Sequence, residues 1–196
     1  MNQRPYLLDA ATFLQQRQHN PPPMVIDLRD PRDFAQGHLA AARSIPWTLL
    51  PEEALFFSPG RRYLFYSNAE NQGLSESIDL LAAQGFNNLG AYFGGYQELS
   101  RQLEQSKDSI LLARLPREDW LAEIERVLDE RLRPHLDADG GGIQLVSLEG
   151  DKLFVDFTGN CKNCDSSRTA TLRLVQVSLS VLLNHDLKVI ARRLDA

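Results

Sequence analysis

Cys161 and Cys164 are the two cysteines of this 196-residue chain, set as Cys161-Lys162-Asn163-Cys164. Any sulfur chemistry the protein carries must run through them. A thiolate pair at this spacing serves ligation of an iron–sulfur cluster, ligation of zinc, or cycling between dithiol and disulfide, and the spacing alone leaves all three open. Cluster and zinc sites of this kind usually take four ligands, so the two thiolates of one chain are half a site. A second copy of the chain could supply the other half. Of the four histidines, His19, His135 and His185 show no ligand spacing with one another or with the cysteines.

The elements that must position this pair can be read from the flanking pattern. Upstream, Leu153-Phe154-Val155-Asp156-Phe157 reads as a strand paired in a hairpin with Ile143-Gln144-Leu145 across Glu149-Gly150-Asp151. Downstream, Ser166 or Ser167 suits a helix cap, and Leu172, Val175, Leu179 and Leu182 carry an apolar stripe to about Asn184. The cysteines therefore fall between a strand and a helix N-terminus, where backbone amides and the helix dipole favour the thiolate. Leu187-Lys188-Val189-Ile190 reads as a final strand. A helix introduced by Pro116-Arg117-Glu118-Asp119 carries Trp120, Leu121, Ile124, Val127, Leu128 and Leu132, and Asp139-Gly140-Gly141-Gly142 breaks the chain after it. Turn and packing roles are expected of Asp139, Gly140 and Gly141.

The first half has a different pattern. Met24 to Leu28 and Tyr63 to Tyr66 are short apolar runs, and Leu74, Ile78, Leu81 and Ala82 mark a helix across Gln72 to Gln84, an alternation that predicts parallel α/β structure. The sequence turns polar around Lys107-Asp108-Ser109. The expected organisation is an α/β domain at 1–106, a linker at 107–116 and a small α+β domain at 117–196.

Composition bounds the function. Hydrophobic residues at 43% and charged residues at 24% are globular values. A net charge of -5 without a Lys/Arg-rich block argues against nucleic acid or an anionic membrane as the main partner. No apolar run reaches membrane-spanning length, and the start, Met1-Asn2-Gln3-Arg4-Pro5-Tyr6, lacks the pattern of a secretory signal, so a cytoplasmic location is expected. In that reducing compartment a lone Cys-x-x-Cys points to a metal or redox site rather than a structural disulfide. Neither a phosphate-binding glycine loop nor a recognisable Ser/His/Asp arrangement is present.

Residues Ile124 to Val189 resemble the C-terminal domain of the NifU family, the Nfu-type iron–sulfur carriers. The likeness rests on Arg133-Pro134-His135-Leu136 with Asp139-Gly140-Gly141, on Val155 to Phe157 leading into Gly159-Asn160-Cys161-Lys162-Asn163-Cys164, and on Ser166-Ser167 with Thr171-Leu172. It departs at Asn160 and at Lys162-Asn163, positions that supply no ligand. The resemblance implies a homodimer in which each subunit gives Cys161 and Cys164 to one shared, bridging 4Fe-4S cluster. It also implies apo iron–sulfur proteins and cluster donors as partners.

The first half resembles a rhodanese domain. The carrying residues are Val25-Ile26-Asp27-Leu28-Arg29, Phe34, Gly37-His38-Leu39, Ala42, Ser44-Ile45-Pro46, Tyr63 to Tyr66, Gly85-Phe86 to Leu89, and Gly94-Gly95. The resemblance implies a parallel sheet flanked by helices, with a persulfide-forming cysteine on a loop that aligns with Ser67-Asn68-Ala69-Glu70-Asn71-Gln72. Ser67 stands at that nucleophile position, and a serine hydroxyl has no sulfur with which to form a persulfide. Glu70 adds a negative charge to the loop, and Gln72 replaces an expected cation. The expectation is that no residue of this domain is catalytic, that Asp27, Arg29 and His38 preserve a fold, and that the domain serves as a docking module. The whole chain is expected to be a non-enzymatic cluster carrier. The competing expectation is a thiol oxidoreductase or persulfide acceptor working through Cys161 and Cys164, and a third is structural zinc shared across a dimer.

Overall fold

The computed structural model describes residues 4–70, 72–138, 140–159 and 165–192. Two compact units divide the chain, Met1–Lys107 and Asp108–Ala196, and each has its own core.

The first unit is a four-stranded parallel sheet in the order β2-β1-β3-β4. Its strands are β1 (Met24–Asp27), β2 (Arg43–Ser44), β3 (Tyr63–Tyr66) and β4 (Leu89–Tyr92). All four residues of β3 are buried, which explains why its sequence, Tyr-Leu-Phe-Tyr, is apolar throughout rather than alternating. Tyr63 and Phe65 face a cluster built with Leu74, Ile78 and Leu81 of α4 (Gln72–Ala83). On the other face, Phe13 of α1 (Ala10–Arg17) meets the Tyr66 ring edge-on at 6.1 Å, and α1 packs on α5 (Tyr96–Gln105). Helices therefore cover both faces. Local chemistry starts them: Asp9 Oδ1 accepts from Thr12 N at 2.7 Å to cap α1. Asp30 caps α2 (Pro31–Gln36) in the same way, with Pro31 preset for the first helical position. The short helix α3 (Leu50–Glu53) lies between two 3₁₀ turns; its Leu50 and Ala54 of the following turn are buried in the same core.

The second unit is a three-stranded mixed sheet, β5-β6-β7, with helices packed on it. Trp120, Ile124 and Val127 of α6 (Trp120–Val127) are buried, as the apolar spacing predicts. The helix proper starts later than Pro116, because Arg117–Asp119 form a 3₁₀ turn first. One π-helical turn, Leu128–Leu132, joins it to α7 (Arg133–Ala138) and keeps Leu128 and Leu132 on the buried side. Strands β5 (Gly141–Glu149) and β6 (Lys152–Gly159) pair antiparallel through the two-residue loop Gly150-Asp151, where Gly150 has φ +58°. Leu153, Val155 and Phe157 alternate into the core. Helix α8 (Asp165–Leu183) returns the chain so that β7 (Lys188–Ala191) lies parallel to β6.

Three further boundaries differ from the sequence reading. The polar segment proposed as a linker contributes Ile110 and Leu112 to the second core, and Asn184 Nδ2 donates to the Ile110 carbonyl at 2.9 Å, so composition overstated its length. Helix α8 opens at Asp165, which puts Ser166 and Ser167 inside its first turn rather than at its cap. An acidic residue suits that first turn as well as serine suits a cap, and the sequence pattern does not separate the two registers. Strand β7 runs one residue later than expected because its ladder with β6 pairs Lys152 with Lys188 and Val155 with Ala191. No helix among the described residues is long and apolar enough to cross a membrane.

Candidate functional site

Chain order places Cys161 and Cys164 in the connection from β6 to α8; both cysteines, with Asn160, Lys162 and Asn163, lie outside the described residues. The strand end from which that connection departs is described. Gly159 closes β6 with φ +62°, and a Cβ there would stand 2.3 Å from the Gly140 carbonyl oxygen. The ladder pairs Gly141 with Gly159 and Gly142 with Thr158. The glycine run after α7 thus lies directly against the root of the cysteine segment. Gly140 and Gly141 have the packing role expected of them, with a partner the sequence did not identify; Asp139 lies outside the described residues.

Side chains behind this junction hold it in place. Arg133 Nε donates to the Ile143 carbonyl at 3.1 Å, Nη2 reaches Glu125 at 2.7 Å, and Nη1 meets Asp129. Burial works against the Arg133 cation, but its bonds to Asp129 and Glu125 outweigh that and raise its pKa. Arg133 thereby ties α7 to β5. On α8, Gln176 Oε1 accepts from Val189 N at 3.1 Å and Ser180 Oγ from Leu187 N at 3.0 Å, fixing the helix to β7. Sequence reasoning missed the roles of these three residues; polar Gln176 and Ser180 among the apolar residues of α8 were the available signal for two of them. Among the described residues, no three His, Asp or Glu side chains gather as a metal site. Neither His135 nor His185 is brought into one: His185 Nε2 bonds Asp151 at 3.0 Å beside the Trp120 ring.

In the first unit, the loop after β3 sits at the carboxyl end of the parallel sheet, where open α/β folds place ligands. Ser67 is buried; its N–H donates to the Tyr92 carbonyl and its carbonyl accepts from Gly95 N, both at 3.1 Å. Glu70 is held by side chains from elsewhere in the unit. Its carboxylate is engaged by the Arg4 guanidinium and accepts from Ser75 Oγ at 2.6 Å, so its negative charge stays on the loop but is tied to partners the sequence did not show. Arg4 also pairs with Asp79 at 3.2 Å, and Tyr6 Oη donates to Asp79 at 2.8 Å. Burial and that bond push the Tyr6 pKa up. An arginine 66 positions upstream was not visible as the partner from sequence. The Gln72 side chain and Asn71 lie outside the description.

Asp27 and Arg29 form the expected tie between a strand end and the next turn. Asp27 is fully buried and Arg29 nearly so, with Nε 2.9 Å from Asp27 Oδ1 and Nη2 2.6 Å from Oδ2. Nη2 also donates to the Gly37 carbonyl, and the guanidinium lies 5.6 Å from the Tyr66 ring and 4.8 Å from that of Tyr96. Burial opposes the Arg29 charge, yet the Asp27 bond and charge hold its pKa above the usual value. Burial, followed by the Asp27 charge, pushes the Tyr66 hydroxyl far up, so it stays protonated. His38 stacks on Phe34 at 3.8 Å with Nδ1 3.0 Å from the Phe34 carbonyl, a structural placement. Above this cluster opens a cavity of about 420 Å³ lined by Arg29, Asp33, Gln36, Asn68, Tyr96 and Gln97 together with glycine backbone.

Comparison with known proteins agrees with this division. Residues 10–102 match the family model of the rhodanese-like domain, and residues 124–190 that of the NifU-like domain. Nitrogen fixation protein NifU of Nostoc sp. is 48% identical over 54 residues, which are 28% of this chain and 18% of that protein. A NifU-like scaffold protein of Plasmodium falciparum is 27% identical over 63 residues, 32% of this chain and 25% of its own. The chain therefore spans less than a third of these relatives. Among solved structures, a rhodanese-related protein of Thermoplasma volcanium covers 48% of this chain and 90% of itself, at 21% identity and TM-score 0.42. A single-domain sulfurtransferase of Saccharomyces cerevisiae covers 52% and 94%, at 17% identity and TM-score 0.40. The chain joins a rhodanese-like domain to a NifU-like domain.

Proposed function

We propose that the protein is a non-enzymatic scaffold and carrier of iron–sulfur clusters. Cys161 and Cys164 of two copies together hold one bridging 4Fe-4S cluster, which is cargo delivered to apoproteins. The observation that carries this reading is the position of the chain's cysteine pair inside the NifU-like match, between β6 and α8. Two thiolates per chain fit a four-thiolate cluster only as half a site, so the donor set itself asks for a homodimer. A cluster held between two chains is released by loosening them, which suits transfer.

The first unit acts as a docking module that selects cluster donors or recipients. Ser67 at the nucleophile position supports the absence of sulfur transfer there, since a hydroxyl that stays protonated near neutral pH cannot carry sulfane sulfur. The working compartment is the cytoplasm.

The test is anaerobic reconstitution of the full chain beside its Cys161→Ser and Cys164→Ser variants. Each single variant is expected to lose the charge-transfer absorption of the cluster while the first unit stays folded. A variant that keeps a full cluster would remove that cysteine from the ligand set.

A further inference from the structure

The cavity at the carboxyl end of the first sheet has the wrong charge balance for an anion. Arg29 is the one cation among the described residues that line it, and Asp27 already neutralises that guanidinium through two short bonds. The Gly95 amide, which could have served an oxyanion, donates instead to the Ser67 carbonyl. What remains open carries the opposite character. Asp33 is the one carboxylate among the described lining residues, half-buried, and its Oδ2 accepts a long bond from Asn68 Nδ2 at 3.4 Å. Gln36, Asn68 and Gln97 add side-chain amide carbonyls, which accept hydrogen bonds without adding charge.

The geometry points to a pocket that receives a basic side chain, lysine or arginine, from a partner protein, with Asp33 as its counter-charge and the amides of Gln36, Asn68 and Gln97 as further acceptors. A guanidinium or ammonium carries several donors and no acceptor, so it pairs with the Asp33 carboxylate and with amide carbonyls such as that of Asn68, whose Nδ2 is already turned to Asp33; amide N–H groups serve anions equally, so the Asp33 charge sets the preference. The cavity, about 420 Å³, has the size of a single-ligand site. The ion pair fixes which partner fits rather than supplying most of the affinity. This inference rests on the docking reading of the first unit and gives that reading a recognition chemistry.

The experiment is an amide-detected NMR titration of the isotopically labelled full chain. The probes are acetyl-Gly-Arg-Gly-amide, its lysine and glutamate counterparts, agmatine and thiosulfate. Saturable shifts at Gly37, Gly95 and the side-chain amides of Asn68 and Gln97 are expected with the arginine or lysine peptide, and Asp33→Asn should weaken them about tenfold. The proposal is overturned by a saturable response to the glutamate peptide or thiosulfate, by tighter binding of agmatine than of the peptides, by cationic peptides that do not bind, or by an affinity indifferent to Asp33→Asn. Cluster transfer from the full chain to an apo four-iron dehydratase separates this from the docking reading. Asp33→Asn that abolishes peptide binding and leaves transfer unchanged would sink docking and keep the pocket assignment, whereas failed peptide binding sinks the pocket alone.

Discussion

At the scale of single residues, the Asp27–Arg29 pair shows what happens when two charges are buried two positions apart. Removing one partner strands the other in a site without water, so Arg29→Leu is expected to destabilise the first unit by about 3–5 kcal/mol in urea unfolding. Adding Asp27→Asn to that variant should recover part of the loss, and a double variant worse than the single would contradict the pairing. Ser67→Cys restores a thiol but leaves a cavity whose cation is neutralised, so thiosulfate sulfurtransferase activity should stay at background; robust turnover would show that the serine alone silences the site. Asp151 offers a pH reading. Its bond to His185, opposed in part by burial, holds its carboxyl below the usual aspartate value. A depressed folded pKa adds stability above the unfolded value of about 4, lost as the pH falls through the lower folded value. Acid unfolding of Asp151→Asn should therefore be less steep below about pH 4, and an unchanged profile would remove this contribution. Residue-level legibility followed sequence distance. Asp27 with Arg29 could be paired by eye, whereas Arg4 with Glu70, 66 positions apart, and Arg133 with the Ile143 carbonyl depend on how elements are brought together.

At the scale of elements, the hairpin β5–β6 and its glycine neighbours decide how the cysteine segment leaves the sheet. Gly159 combines a left-handed backbone with backbone oxygen where a Cβ would go, so Gly159→Ala should destabilise the second unit by about 1–3 kcal/mol, read by thermal unfolding. Gly142→Ala meets the Thr158 hydroxyl, a side-chain atom that can rotate away, and should cost less. Equal losses at both sites would mean that the Gly140 approach is not the constraint. Strand β3 and helix α6 were readable because their apolar runs and periodicity match their burial. The start of α8 was not, since Asp165, Ser166 and Ser167 are all good helix-opening residues and local propensity does not rank them. The second core's claim on Ile110 and Leu112 was hidden by the polar residues around them.

At the scale of the whole molecule, two separate cores share one chain. The division into an α/β unit and a small α+β unit was legible from the change in pattern near Lys107, because parallel buried strands and an antiparallel hairpin leave different hydrophobic periods. The half-site of two thiolates, like the second copy it calls for, is a proposal from ligand count rather than from any single-chain contact. That count is the central claim. The most direct test is anaerobic reconstitution of the full chain with iron and sulfide, with iron, acid-labile sulfide and molar mass determined on one sample. The account predicts about four irons and four sulfides per dimer, with the dimer forming as the cluster does. A monomer without iron that titrates as a Cys161–Cys164 disulfide, or a dimer that holds zinc in air, would contradict it.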